Sequence, residues 1–150
     1  MKIFRENLIR LKQKVTDKND CLNQMIDLIY QEGIISDRVA FFQSVMEREE
    51  VMSTGIGRGL AIPHGRNQCV NELSATMFTL EEPIDYDSID GEPVNIIFML
   101  TIPDNAANEY MKILGQISKF MREEVQRNEL CAVILNREAY QILKGIEDEI

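Results

Sequence analysis

The sequence predicts a layered α/β domain, and three observations carry that prediction. Apolar residues recur at helical spacing in separated segments, the first at Leu22, Met25, Ile26 and Ile29. Between these segments lie runs of strand length, of which Val94 to Ile102 (VNIIFMLTI) is mostly apolar, as befits a strand covered on both faces. No repeat, low-complexity tract or linker divides the 150 residues, so one domain over residues 1–150 is expected. Strands separated by helices bury both kinds of apolar surface by stacking in layers.

Along the chain, Leu11 to Val15 reads as a first strand, and the order of Met1 to Asn7 is left open. Thr16 or Asp17 caps a first helix, and Gly33 ends it. Ser36 or Asp37 caps a second helix, with Val39, Phe42 and Met46 on one stripe and Phe41 and Val45 beside it. Arg48, Glu49 and Glu50 close that helix and deliver the chain to a glycine-rich loop. Leu73 to Leu80 suits a strand, whereas Glu81 to Pro93 has the acidic, Pro- and Gly-rich character of turns. Pro103-Asp104-Asn105 stops the apolar strand. A long helix follows, in which Tyr110, Ile113, Leu114, Ile117, Phe120 and Met121 form the core-facing stripe. Leu130, Val133 and Ile134 suggest a short helix, and Ile142, Leu143 and Ile146 a last one before an acidic end.

Composition narrows the function classes. Sixteen basic against 25 acidic side chains leave a net charge of −9, which argues against nucleic acid, whose binding depends on clustered basic groups. Cys21, Cys69 and Cys131 are far apart without a C-x-x-C pair, and one histidine cannot complete a Cys/His zinc set. They read as free thiols in a reducing cytoplasm, with neither metal nor cofactor expected. The start, MKIFRENLIRLKQKV, lacks the apolar run of a signal peptide, and no stretch approaches the ~20 apolar residues of a membrane span.

The candidate site is Thr54 to Arg66, TGIGRGLAIPHGR, which holds the sole histidine, His64. Gly55, Gly57, Gly59 and Gly65 cost backbone entropy on folding, so they point to unusual backbone angles or close approach. Pro63 stiffens the entry to His64. An imidazole so placed could take a phosphoryl group, act as a base or hold a turn. The spacing G-x-G-x-G is not the dinucleotide fingerprint. Arg48, Arg58 and Arg66 bracket the loop, and guanidinium forks suit phosphate oxygens, while the loop's N–H groups could form an anion nest. Arg48 could equally be an exposed helix charge. Thr54 could donate a hydroxyl hydrogen bond or, as Ser53 is expected to do, order the turn.

These residues carry a resemblance. Arg48-Glu49, Ser53-Thr54-Gly55-Ile56-Gly57 and Ala61-Ile62-Pro63-His64-Gly65 resemble the signature of the fructose/mannitol-type EIIA domain of the bacterial sugar phosphotransferase system. Pro83-Ile84-Asp85-Tyr86, Asp90-Gly91-Glu92-Pro93-Val94, Ile97 to Leu100 and Asn108 to Leu114 follow in the family's order, over about residues 10 to 147. The resemblance implies a mixed β-sheet flanked by helices on both faces. It also implies that His64 accepts phosphate at Nε2 from the phosphocarrier HPr and passes it to a cysteine of a separate EIIB, with the membrane reached only through an EIIC partner. Arg48 is expected beside the ring, Thr54, Gly57 and Arg66 in support, and Ile56, Leu60 and Ile62 as candidates for an apolar docking face, with Ile62 leaning to the core. Tyr110 stands where many relatives carry a second histidine; it offers a hydroxyl but no charge near neutral pH. That departure keeps open a regulatory module whose His64 phosphorylation controls a protein partner. Asp85-Tyr86, Asp90-Gly91 and Asn108-Glu109 tilt the sugar toward fructose or a related hexose.

Overall fold

The two most apolar runs of the chain pair with each other and become the spine of a mixed sheet. A computed structural model describes residues 2–150. In chain order its elements are β1 (Ile9–Gln13), α1 (Lys18–Gln31), α2 (Arg38–Val51), β2 (Gly55–Gly57), β3 (Leu60–Ala61), β4 (His64–Arg66), β5 (Ser74–Ile84), β6 (Val94–Ile102), α3 (Ala107–Met121), α4 (Glu124–Ala132) and α5 (Asn136–Glu147). The strand order is β1-β5-β6-β3-β2, and β4 also pairs with β6. β5 and β6 are antiparallel, β1 runs parallel to β5, and β3 and β4 run parallel to β6.

Alternation along the spine builds two cores. Ile97 and Met99 face α1 and α2, where they meet Met25, Ile26, Phe41 and Val45. Ile96, Phe98 and Leu100 face α3 and α5, with Ile113, Ile117, Leu143 and Ile146. Each fully buried Ile, Leu or Phe contributes about 1.5–3 kcal/mol relative to exposure, so both faces need their helices. The expected helices on both faces of a mixed sheet are therefore present. Asp17 and Asp37, rather than Thr16 or Ser36, cap α1 and α2 by accepting from the N–H groups of Asp20 (2.8 Å) and Ala40 (3.0 Å). The amino-terminal segment is fastened to the far end of the chain, because the Glu147 carboxylate accepts from the N–H groups of Ile3 and Phe4, both at 2.7 Å. Met1, part of the segment whose order the sequence left open, lies outside the described residues.

Several expectations are corrected. The first strand lies two residues earlier than Leu11 to Val15, because Ile9 pairs with Met77 of β5. β5 runs beyond Leu80 to Ile84, which pairs with Val94 across a register shift, so part of the expected loop is strand. On α2 the buried stripe is Phe41 and Val45, while Val39 is 64% exposed. α4 stops at Ala132, before Val133 and Ile134. The glycine-rich segment is not a plain loop, since it contributes β2, β3 and β4 to the sheet.

Gly65 shows why. A Cβ there would stand 2.8 Å from Phe41 Cε1 and 3.0 Å from Val45 Cγ2, so the bare backbone is what lets β4 lie against α2. Gly65→Ala is expected to destabilise the protein by about 1–3 kcal/mol, read as a lowered urea midpoint at unchanged slope. A midpoint equal to the parent's would contradict this packing.

Candidate functional site

His64 opens β4, and strand geometry decides where its ring goes. His64 sits opposite Leu100 of β6, and the Leu100 N–H donates to the Pro63 carbonyl at 3.0 Å. Successive side chains on a strand point to opposite faces, so with Gly65 turned toward α2, His64 projects toward α3. There its ring meets Tyr110, with centroids 5.9 Å apart and planes 33° apart. Tyr110 has therefore not swung away into the core; it is half-buried beside the imidazole.

The ring's chemistry follows from its neighbours. Nδ1 lies 3.1 Å from the carbonyl oxygen of Ile62. A carbonyl only accepts, so the neutral imidazole carries its proton on Nδ1 and keeps the Nε2 lone pair free. Burial holds the His64 pKa below its ordinary 6.5; the Ile62 hydrogen bond opposes this, the Arg48 charge adds to it, and the Glu49 charge opposes it. At neutral pH the ring is therefore mostly uncharged, with a lone pair on Nε2.

Arg48 is half-buried in the last turn of α2 and donates from Nη1 to the Met52 carbonyl at 2.8 Å, which satisfies an orphan carbonyl at the helix end. Arg48, Thr54, Ile56, Ile62 and His64 line a hollow of about 110 Å³ together with Met52, Ile89 and Leu114. A larger cleft of about 510 Å³ adjoins it, sharing Ile56 and Ile89 and reaching Arg58 and Arg122. The apolar rim is thus Ile56 (39% exposed), Met52 (58%) and Ile89 (65%). Leu60 and Ile62, two of the three residues expected there, are buried in the core. Met52 and Ile89 were missed because each lies outside any periodic segment, at a helix end and in the loop between β5 and β6.

The other expected residues are placed as follows. Gly57 and Gly59 have φ of 105° and 78° and flank Arg58 at φ 59°, a left-handed turn between β2 and β3. The anion-nest reading is corrected, because the N–H groups of Gly55, Arg58 and Ile62 donate to Ser53 Oγ, Asp90 Oδ2 and the Thr54 carbonyl. Arg66 is exposed and donates from Nη2 to the Asp104 carbonyl at 2.7 Å. Ser53 orders the turn, its hydroxyl donating to the Tyr86 carbonyl at 3.0 Å. Cys21 is buried on α1, its pKa pushed up to about 12 mainly by burial, and burial also raises the pKa values of Cys69 and Cys131.

Glu49 was not singled out from the sequence as a site residue, yet it lies buried directly behind the site. Its carboxylate accepts from the Thr54 N–H (3.2 Å) and the Thr54 hydroxyl, and pairs with Lys18 Nζ at 2.9 Å. Lys18 Nζ also stands 4.4 Å from the centroid of the Tyr86 ring, whose hydroxyl is 3.1 Å from Thr54 Oγ1. Thr54 thus faces Glu49 and Tyr86 rather than solvent. One signal was available: Phe41, Val45 and Glu49 repeat every four residues, the spacing of a single helix face.

The lowered His64 pKa has a consequence for stability. The unfolded chain, with the ordinary value of 6.5, binds this proton more readily than the folded one, so stability falls as pH drops through 6.5 toward the folded midpoint. An NMR titration is expected to place the His64 midpoint below 6.5, and His64→Gln should flatten the stability loss in that window. A midpoint at or above 6.5 would overturn the burial assigned to the ring.

Comparison with known proteins gives this site its family. A nitrogen regulatory protein of Pseudomonas aeruginosa is 31% identical over 153 residues, spanning 94% of this chain and 99% of that protein. The PTS system fructose-specific EIIABC component of Bacillus subtilis is 29% identical over 126 residues, 83% of this chain, and this chain spans 20% of its length. The crystal structure of the nitrogen regulatory protein IIA-Ntr from Neisseria meningitidis superposes with a TM-score of 0.87 at 31% identity, covering 93% of this chain and 94% of that one. The model of the phosphoenolpyruvate-dependent sugar phosphotransferase system EIIA 2 family matches residues 2–146, and the chain belongs to that family.

Proposed function

We propose that His64 accepts a phosphoryl group on Nε2 from phospho-HPr and passes it to a cysteine of an EIIB partner during sugar uptake. The observation that carries the reading is the Nδ1 hydrogen bond to Ile62, which leaves Nε2 unprotonated at a hollow that Arg48 also lines. The Nε2 lone pair attacks phosphorus as the bond to the donor imidazole breaks; the donor ring leaves neutral and the His64 ring becomes cationic. Ile62's carbonyl, accepting Nδ1–H, stabilises that cation, and Arg48 balances the charge on the phosphoryl oxygens. Thr54, Gly57 and Arg66 support the segment: Thr54 through Glu49, Gly57 through its turn, Arg66 through Asp104. Tyr110 packs beside the ring in place of a charged neighbour.

Met52, Ile56 and Ile89 form the apolar face on which a protein donor and acceptor would dock. The setting is the cytoplasm, with the membrane reached only through an EIIC protein and no nucleic acid involved. Among the described residues no helix is long and apolar enough to cross a membrane. The relationship to a fructose-specific EIIABC component supports fructose or a related hexose as the sugar served.

A second reading has its own support: two of the relatives are named nitrogen regulatory proteins, one of them with nearly the same length as this chain. In it, His64 phosphorylation reports metabolic state to a protein partner instead of feeding an EIIB.

Incubation with phosphoenolpyruvate, enzyme I and HPr is expected to place one labelled phosphate on the chain, lost in His64→Ala and formed about 10²-fold more slowly in Arg48→Met. Label that survives His64→Ala would sink both readings. Transfer of the label to a fructose-type EIIB supports the uptake reading; retention of the label against all sugar EIIB domains supports the regulatory one.

A further inference from the structure

We propose that Glu49 is a positioning residue for His64, acting through Thr54 and Ile62 to hold the imidazole in the tautomer that exposes Nε2. The inference rests on His64 being the nucleophile, but the tautomer itself can be read without any phosphoryl donor.

A run of hydrogen bonds connects Glu49 to the His64 ring. Lys18 Nζ, at the first turn of α1, donates to Glu49 Oε1 at 2.9 Å. The Glu49 carboxylate takes both the N–H of Thr54, at 3.2 Å, and its hydroxyl, one on each oxygen. Tyr86's hydroxyl closes the far side, 3.1 Å from Thr54 Oγ1 and 3.5 Å from Glu49 Oε2. Thr54, thus held by main chain and side chain at once, offers its carbonyl to the Ile62 N–H at 3.0 Å. Ile62's own carbonyl then accepts Nδ1–H of His64 at 3.1 Å. The residue whose carbonyl selects the tautomer is therefore tied, at its own N–H and through Thr54, to a buried carboxylate on another element.

Two features say that this arrangement does more than fill the core. Glu49 lies on the same face as Phe41 and Val45, where an apolar side chain would satisfy packing without the desolvation cost of a charge. Its partners, moreover, include both hydrogen-bond donors of Thr54, the residue whose carbonyl pairs with Ile62, and the carboxylate leaves neither donor unpaired. A carboxylate with two oxygens can order the Thr54 backbone and hydroxyl together while Lys18 neutralises it; no apolar residue can.

The test reads the ring nitrogens of His64 by ¹⁵N NMR, alongside the rate of labelling by phospho-HPr. Glu49→Gln keeps the volume but loses the charge and one acceptor. It is expected to cut the tautomer with Nε2 free to about 10% of the folded protein and thereby to slow labelling about 10-fold. Thr54→Val, which removes only the hydroxyl link, should shift the tautomer in the same direction and supplies the answer if Glu49→Gln does not fold. Ile146→Val loosens the opposite core and serves as the control for lost stability; it should leave the tautomer as in the parent. Folded Glu49→Gln or Thr54→Val with an unchanged tautomer overturns the proposal. If the parent takes no label but the tautomer still shifts in the variants, the relay reading fails and the positioning role stands.

Discussion

One constraint governs the site: the His64 imidazole is held by backbone groups on both sides. Behind it, pairing of β4 with β6 fixes the main chain, through the Pro63 carbonyl and the His64–Leu100 register. Beside it, the Ile62 carbonyl takes the only proton of the neutral ring. Side-chain partners could rotate or titrate, whereas a main-chain carbonyl held between β3 and β4 does neither, so the ring turns the same nitrogen toward the hollow. The cost is desolvation, which also favours the uncharged ring at neutral pH.

Charge in this acidic protein is distributed to suit that constraint. With a net charge of −9, the molecule places Arg48 at the hollow and Lys18 in the interior network, one on each side of the Thr54 segment. Removing Lys18, whose side chain is 25% exposed, would leave the Glu49 carboxylate, only 3% exposed, buried without its counter-charge, which is the costly way to break such a pair. Glu49 therefore couples the start of α1, the end of α2 and the start of β2. The two neighbours in sequence, Arg48 and Glu49, face opposite environments because consecutive helix positions lie about 100° apart.

The surroundings of the ring suit a macromolecular visitor more than a small substrate. The hollow at the ring, about 110 Å³, is below the roughly 300–1,000 Å³ of sites that enclose small molecules; the cleft of about 510 Å³ beside it is not lined by His64, and the rim the two share carries exposed Ile56 and Ile89. Apolar residues left in water around a recessed imidazole make a surface of the kind that protein partners cover. This agrees with a family whose members relay phosphoryl groups, and it holds equally for an uptake partner and a regulatory one.

By itself the sequence determined the layered architecture, each of the first two helix caps to within two neighbouring residues, the limits of β6 and the placement of its one histidine within a glycine-rich segment. These are local matters of periodicity, capping chemistry and chain stiffness, and the motif spacing was enough to indicate the family. It did not disclose that Gly55 to Arg66 forms strands, that Ile89 and Met52 rim the site, or that Glu49 is buried against Lys18 and Thr54. Short strands such as β2, β3 and β4 carry no period of their own: β3 and β4 form against β6, and β2 against β3. Likewise the partners of Glu49 lie 31 positions before it and five after it, and no window along the chain contains that geometry. Only the packing of α1 and α2 on one face of the sheet brings those groups together, since a hydrogen bond depends on distance in space and the pattern of residues records distance along the chain.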